Sequence, residues 1–235
     1  MRRLLPSLFL AVLILGGSHM RSSGKPEQPS PVCIREDVAG SIGGRSLTAI
    51  RRSCYAPSRA SLYDSSMQYR ALIDLKDKSV LLIDDRNRSY VQITVDAFRS
   101  QAAEGMRLLA GPGGKRLPVR ETGRTEKVQG RSCFEVSLFF EPQSLKMDLW
   151  LSKEIPAPLD AYFIFTANSG IGETFPGMLT LLRKHNAYIV ESTMTMLRPG
   201  GLEVRLYSRL SGIEEIDQSD GAFAPPKGYE KLSVK

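Results

Sequence analysis

Residues 130–158, GRSCFEVSLFFEPQSLKMDLWLSKEIPAP, read as two adjacent strands. Phe134, Val136, Leu138 and Phe140 fall on one side of the first, and Cys133, Glu135, Ser137 and Phe139 on the other. After a turn at residues 141–144, Leu145, Met147, Leu149 and Leu151 share one side of the second, with Lys146, Asp148 and Trp150 opposite. Alternation with period two predicts antiparallel strands with one covered face. By this count Trp150 sits on the less covered side, whereas an indole with its N–H satisfied is ordinarily buried. Both placements stay open.

Earlier in the chain, Gly43-Gly44 marks a two-residue hairpin loop. That loop places Glu36 opposite Arg51 and Cys33 opposite Cys54. Directly opposed cysteines can bridge, and a Cys33–Cys54 disulfide is expected. The same register sets Arg35 against Arg52, which is unfavourable, so three separate thiols in another register remain an alternative. Three short strands are expected over residues 61–95. Asp96 reads as the N-cap of a helix over residues 97–110, with Phe98, Ala102, Met106 and Leu109 at helical spacing. The glycine-rich residues 111–114 follow a helix instead of opening one, and read as a loop, not a phosphate cradle. A charged strand is expected over residues 117–128.

The insert at residues 155–186 breaks the strand rhythm. It reads as two short helices around a Gly-rich loop, either a lid over one end of the sheet or a plug in its core. Two long strands, 187–197 and 202–210, flank a Pro-Gly-Gly turn, and a short strand over 213–216 is expected after them.

Composition adds a compartment. Arg2 and Arg3 precede an apolar run over residues 4–15 and the small residues Gly16, Gly17 and Ser18, the pattern of a cleaved secretory signal. The run is shorter than the ~20 residues a membrane span needs; an uncleaved anchor is the alternative. Ser18 stands where a lipoprotein would carry cysteine. The expected organisation is a signal peptide at 1–17, a flexible linker at 18–31 and one domain at 32–235, delivered to the periplasm or secreted. The chain carries 32 basic and 25 acidic side chains, a formal charge of +7. The charges are spread along the chain without a basic stripe interleaved with aromatics, so nucleic acid is not an expected partner. Weak contact with anionic lipid headgroups stays open.

Candidate chemistry is sparse. Catalysis needs a placed acid, base or nucleophile. Beyond the lead-in the sole histidine is His185, and no cysteine pair has metal-ligand spacing. Asp84-Asp85 reads as a turn before it reads as a cation site. No enzyme activity, cofactor or metal is expected.

The order of elements carries a resemblance. A leader, many antiparallel strands and a helix are followed by Gly130-x-x-Cys133, then by a Trp150 strand that ends before Pro156. A helical insert, a long hairpin and the closing residues Phe223, Pro226, Gly228 and Tyr229 complete it. Over residues 60–232 this resembles the DUF4412 family of exported bacterial proteins and, more loosely, the periplasmic lipoprotein carriers of LolA/LolB-like fold. The resemblance implies an α+β, mainly antiparallel β fold: a curved, open half-barrel sheet with helices on the concave side. In the carriers that side holds acyl chains. The implied function is a non-catalytic binder of an apolar ligand, a lipid or lipoprotein, with Trp150, Phe163, Phe165, Met178, Leu182, Met194 and Met196 as the candidate ligand residues. The alternative is an envelope scaffold or interaction module with a filled core.

Overall fold

The computed structural model describes residues 30–66, 68–110, 119–140, 145–155, 176–197, 201–217 and 221–233. The expected signal peptide, the linker up to residue 29 and the first helix of the insert lie outside them. Twelve strands are described: β1 (Val32–Ile42), β2 (Arg45–Ala56), β3 (Arg59–Asp64), β4 (Tyr69–Asp74), β5 (Ser79–Asp84), β6 (Ser89–Thr94), β7 (Val119–Val128), β8 (Arg131–Phe140), β9 (Leu145–Ser152), β10 (Tyr188–Leu197), β11 (Glu203–Glu215) and β12 (Glu230–Leu232). Two helices, α1 (Val95–Ala110) and α2 (Pro176–His185), join them.

The strands form one open sheet in the order β12-β6-β5-β4-β3-β2-β1-β11-β10-β9-β8-β7. Every pairing is antiparallel except β12 with β6, which is parallel. Hairpins build each half. The halves meet where β1 lies between its neighbour β2 and the distant β11, with Val32 opposite Glu215 and Ile42 opposite Val204.

Between β3 and β6 the chain keeps a ten-residue beat that the reading of three strands missed. Asp64, Asp74 and Asp84 each end a strand, and Gln68, Lys78 and Arg88 take positive φ before the next. Asp74 Oδ1 accepts from the amides of Lys76 and Asp77 at 2.9 and 3.1 Å, and Asp84 Oδ1 from those of Arg86 and Asn87 at the same distances. A carboxylate bonding the amides ahead of it fixes the turn locally. Asp84 also accepts from the Tyr69 hydroxyl at 3.1 Å and the Asn87 amide at 2.7 Å. We therefore expect Asp84→Ala to cost about 2 kcal/mol and Asp74→Ala about 1 kcal/mol, measured by urea denaturation.

Two boundaries differ from expectation. Thr94, not Asp96, caps α1: its Oγ1 accepts from the Ala97 amide at 3.1 Å. Strand β6 runs straight into the helix, so the hydroxyl at its last residue is already in cap position, and Asp96 pairs with Arg99 in the first turn. Strand β11 is one element through Gly212, because a register shift against Arg35/Glu36 absorbs Ser211 as a bulge.

The face carrying Val136, Leu149, Met194 and Val204 is the inner one. Rows run across it in register: Val136, Leu149, Ser192, Ser208, Val38 and Ala49 form one, and Leu138, Met147, Met194 and Leu206 the next. Phe98 and Ala102 of α1 join the same buried cluster. On the outer face Cys33 and Cys54 stand opposite each other and are joined by a disulfide. Ala222, Phe223 and Ile216 pack over it, with the Arg59 guanidinium above the Phe223 ring. The opposed Arg35 and Arg52 turn to separate acids, Arg52 to Glu214 at 3.3 Å and Arg35 to Asp37 at 3.8 Å.

Candidate functional site

Four of the seven candidate ligand residues come together. Met194 and Met196 project from β10 to the inner face, where Met194 is paired with Met147 of β9. Met178 and Leu182 lie one turn apart on α2, and the helix turns both into the same cluster. All four are buried, between 1 and 5% exposed. Phe163 and Phe165 lie outside the described residues.

Trp150 is on the other face. Strand alternation sends Leu149 and Leu151 inward and Trp150 outward. There it is half-buried under the Arg124 guanidinium, 5.2 Å from the ring centroid. A bulge around Gly123, with φ +77°, presents Thr122 and Arg124 to Glu135. Thr122 Oγ1 donates to Glu135 Oε2 and Arg124 Nη1 to Oε1, both at 2.8 Å, so this buried carboxylate is satisfied. Trp150 thus lies on the opposite strand face from Met147 and Met194, and packs partly buried against the margin of the same core cluster.

Helix α2 is clasped to the edge strand β7 at its C-terminal end. Glu121 Oε1 accepts from Lys184 Nζ at 2.7 Å and stands 2.9 Å from His185 Nε2. These two partners hold the Glu121 carboxyl down at about 2. The imidazole also rests 4.7 Å from the Phe134 ring. His185 is a positioning group for the helix.

A polar row interrupts the inner face on the other side of the β1–β11 seam. Glu36, Arg51, Asp64, Tyr69 and Asp84 are paired in sequence across five strands. Arg51 Nε donates to Asp64 Oδ2 at 3.1 Å, and both side chains are largely shielded from water. Glu36, between the buried Ile34 and Val38, is itself only 5% exposed. Burial pushes its carboxyl up to about 7, against the pull of Arg51, while the Asp64 charge adds to the rise. The same burial raises the Tyr55 hydroxyl, with Ser53 lowering it and Glu36 raising it further. Sequence reasoning placed Glu36 opposite Arg51 but missed its burial. The available signal was its position between two apolar residues of one strand face.

Two grooves formed by described residues lie elsewhere. One of about 490 Å³ runs along Thr125, Lys127, Phe134 and Lys153, and another of about 510 Å³ along Ala39, Thr48, Ile50 and Tyr207. Neither is lined by Met178, Leu182, Met194 or Met196. No three His, Cys, Asp or Glu side chains gather in a metal-binding group among the described residues, and no described helix is long and apolar enough to cross a membrane.

No family model matches the chain, and no curated protein matches it. Among solved structures it is similar to PNGF-II, at 12% identity and a TM-score of 0.40, over 86% of this chain and 30% of that one. It is also similar to a DUF1329 family protein from Desulfovibrio piger, at 12% identity and a TM-score of 0.35, over 84 and 90% of the two chains. A LolA superfamily protein from Nitrosomonas europaea aligns at 9% identity and a TM-score of 0.32, over 83 and 90%. The chain therefore spans less than a third of the PNGF-II chain. Scores this low assign no family: LolA superfamily and DUF1329 structures stand among the neighbours of this open antiparallel sheet, and the expected DUF4412 membership has no matching model.

Proposed function

We propose that the chain is an exported, non-catalytic binding protein that holds an apolar ligand, a lipid or a lipidated chain, between its sheet and its helices. In this reading the sheet curls as a half-barrel, and α1 and α2 close its concave side. The observation that supports it is the methionine wall. Met147, Met194 and Met196 of the sheet and Met178 of the facing helix share one apolar cluster. Methionine is the apolar side chain best able to repack around guests of different shape, and a bound acyl chain gains ~0.8 kcal/mol per buried CH₂.

The same side chains are almost fully shielded from water. Entry of a ligand therefore requires α2 to lift from the sheet, breaking the Glu121 clasp. That shielding favours the second reading, a scaffold with a filled core.

Native mass spectrometry of protein purified from an exporting host, followed by titration with a fluorescent fatty acid, decides between them. We expect copurified lipid or saturable binding. Met178→Trp displaces about two methylenes of a bound chain, about 1.6 kcal/mol, and should weaken binding roughly tenfold. A ligand-free protein that ignores the fatty acid would establish the scaffold.

A further inference from the structure

Six large apolar side chains of the described residues stand in solvent, and four of them line one rim of the sheet: Ile42, Phe139, Leu197 and Leu202, at 38–50% exposure. The topology brings them to one end of the sheet, Ile42 on the face of Met196 and Val204, and Phe139 and Leu197 on the opposite face. Strand β1 ends at Ile42, β10 ends at Leu197, β11 starts just after Leu202, and Phe139 is the penultimate residue of β8. These strand ends are neighbours in the sheet. Leu197 is opposite Glu203, Val204 is opposite Ile42, and Lys146 lies between Phe139 and Thr195.

The rim is stiff. The Gly43 amide donates to the Glu203 carbonyl at 2.9 Å, tying the first hairpin tip to the start of β11. Leu202 packs so closely on that tip that a Cβ at Gly43 would fall 2.5 Å from its Cδ1. Beneath the rim Leu145, Met196 and Val204 are buried.

The rim is also basic. Arg45, Arg120, Lys146 and Arg205 are exposed along it. Among the described residues its acids are Glu203, which pairs with Arg205 at 2.8 Å, and Asp148, which pairs with Lys146 at 2.6 Å. No ion pair engages Arg45 or Arg120 among the described residues, so the described part of the rim keeps a net positive charge. Apolar tips spread along strand ends differ from the tightly clustered anchors at the centre of a protein interface. Apolar tips flanked by cations instead match the headgroup boundary of an anionic bilayer, which accepts shallow apolar side chains and attracts Lys and Arg.

We propose that this hairpin rim docks the protein onto anionic phospholipid surfaces, with Phe139, Leu197 and Leu202 entering the headgroup boundary and Arg45 and Arg120 contacting lipid phosphates. The contact is independent of whether the methionine wall holds a ligand. Co-sedimentation of the chain as it leaves the exporting cell, with vesicles of phosphatidylcholine alone or mixed with phosphatidylglycerol, tests it. Binding should favour the mixed vesicles and weaken with salt. Phe139→Ser with Leu197→Ser and Leu202→Ser should lower partitioning at least about tenfold. Arg45→Gln and Arg120→Gln should each lower it about fivefold on the mixed vesicles only. Leu232→Ser, a comparably exposed leucine on β12, should change nothing. The proposal falls if the triple variant binds as the parent does, if Leu232→Ser has the same effect, or if neither vesicle is bound. It falls too if the triple variant instead turns a dimer into a monomer in solution, which would make the rim a self-association face.

Discussion

Glu36→Gln should stabilise the protein by about 3 kcal/mol above pH 7, a conservative change with an unusually large favourable effect. The carboxyl titrates near 7 in the fold against an ordinary 4.5. A raised carboxylate value means that the folded chain holds a proton which the unfolded chain releases between those two pH values. Stability of the parent therefore falls as pH rises from about 4.5 to 7 and stays at the lower level above. Moving the carboxyl from 4.5 to about 7 corresponds to about 3 kcal/mol. Glutamine keeps the shape and never ionises, and Arg51 keeps its partner Asp64. Urea denaturation of parent and variant at pH 5 and pH 8 reads the effect: the curves should separate at pH 8 and approach each other at pH 5. A variant less stable than the parent at pH 8 would show instead that the Glu36 charge is drawn into the Arg51–Asp64 pair strongly enough to outweigh its desolvation.

Removing the disulfide should cost a similar amount. Cys33 and Cys54 are 21 residues apart, and closing a loop of that size restrains the unfolded chain by about 3 kcal/mol. Cys33→Ser with Cys54→Ser should lower the urea midpoint accordingly and make it insensitive to reductant, while the parent's midpoint falls to the variant's when reduced. The loss extends beyond chain entropy, because Ala222, Phe223 and Ile216 pack on the bridge. The C-terminal segment of the double variant should therefore exchange its amide hydrogens faster than the rest of the sheet.

The hairpin register was legible because two glycines with positive φ leave a two-residue loop little freedom, and every pair from Val32–Tyr55 to Ile42–Arg45 follows from it. Alternation likewise gave the inner and outer sides of β8 and β9; for Trp150 it implied the outward side, but the usual burial of an indole kept the inward placement open. What alternation cannot carry is depth. Glu36 and Glu135 occupy comparable strand positions for charged residues, yet one is buried without a hydrogen-bonded cation of its own and the other is buried with two donors supplied by a bulge. Those environments depend on strands far away in sequence. The ten-residue meander was legible in principle, since Ile73-Asp74-Leu75-Lys76-Asp77-Lys78-Ser79 and Ile83-Asp84-Asp85-Arg86-Asn87-Arg88-Ser89 repeat one pattern. Strand β3 escaped because Ala60 and Leu62 are interleaved with Ser61 and Tyr63, a weak contrast between faces. The seam between β1 and β11 left no local mark at all.

That seam sets an order of assembly. The meander from β3 to β6 closes through contacts about ten residues apart and can form as soon as its own residues are free. Strand β1 can close on β2 early and be locked there by the cysteine bridge. Its other edge must wait for β11, which follows almost all of the remaining strands. Until β11 has been made, the chain thus carries an unpaired, partly apolar strand edge, and that interval is when a chaperone would have most to protect.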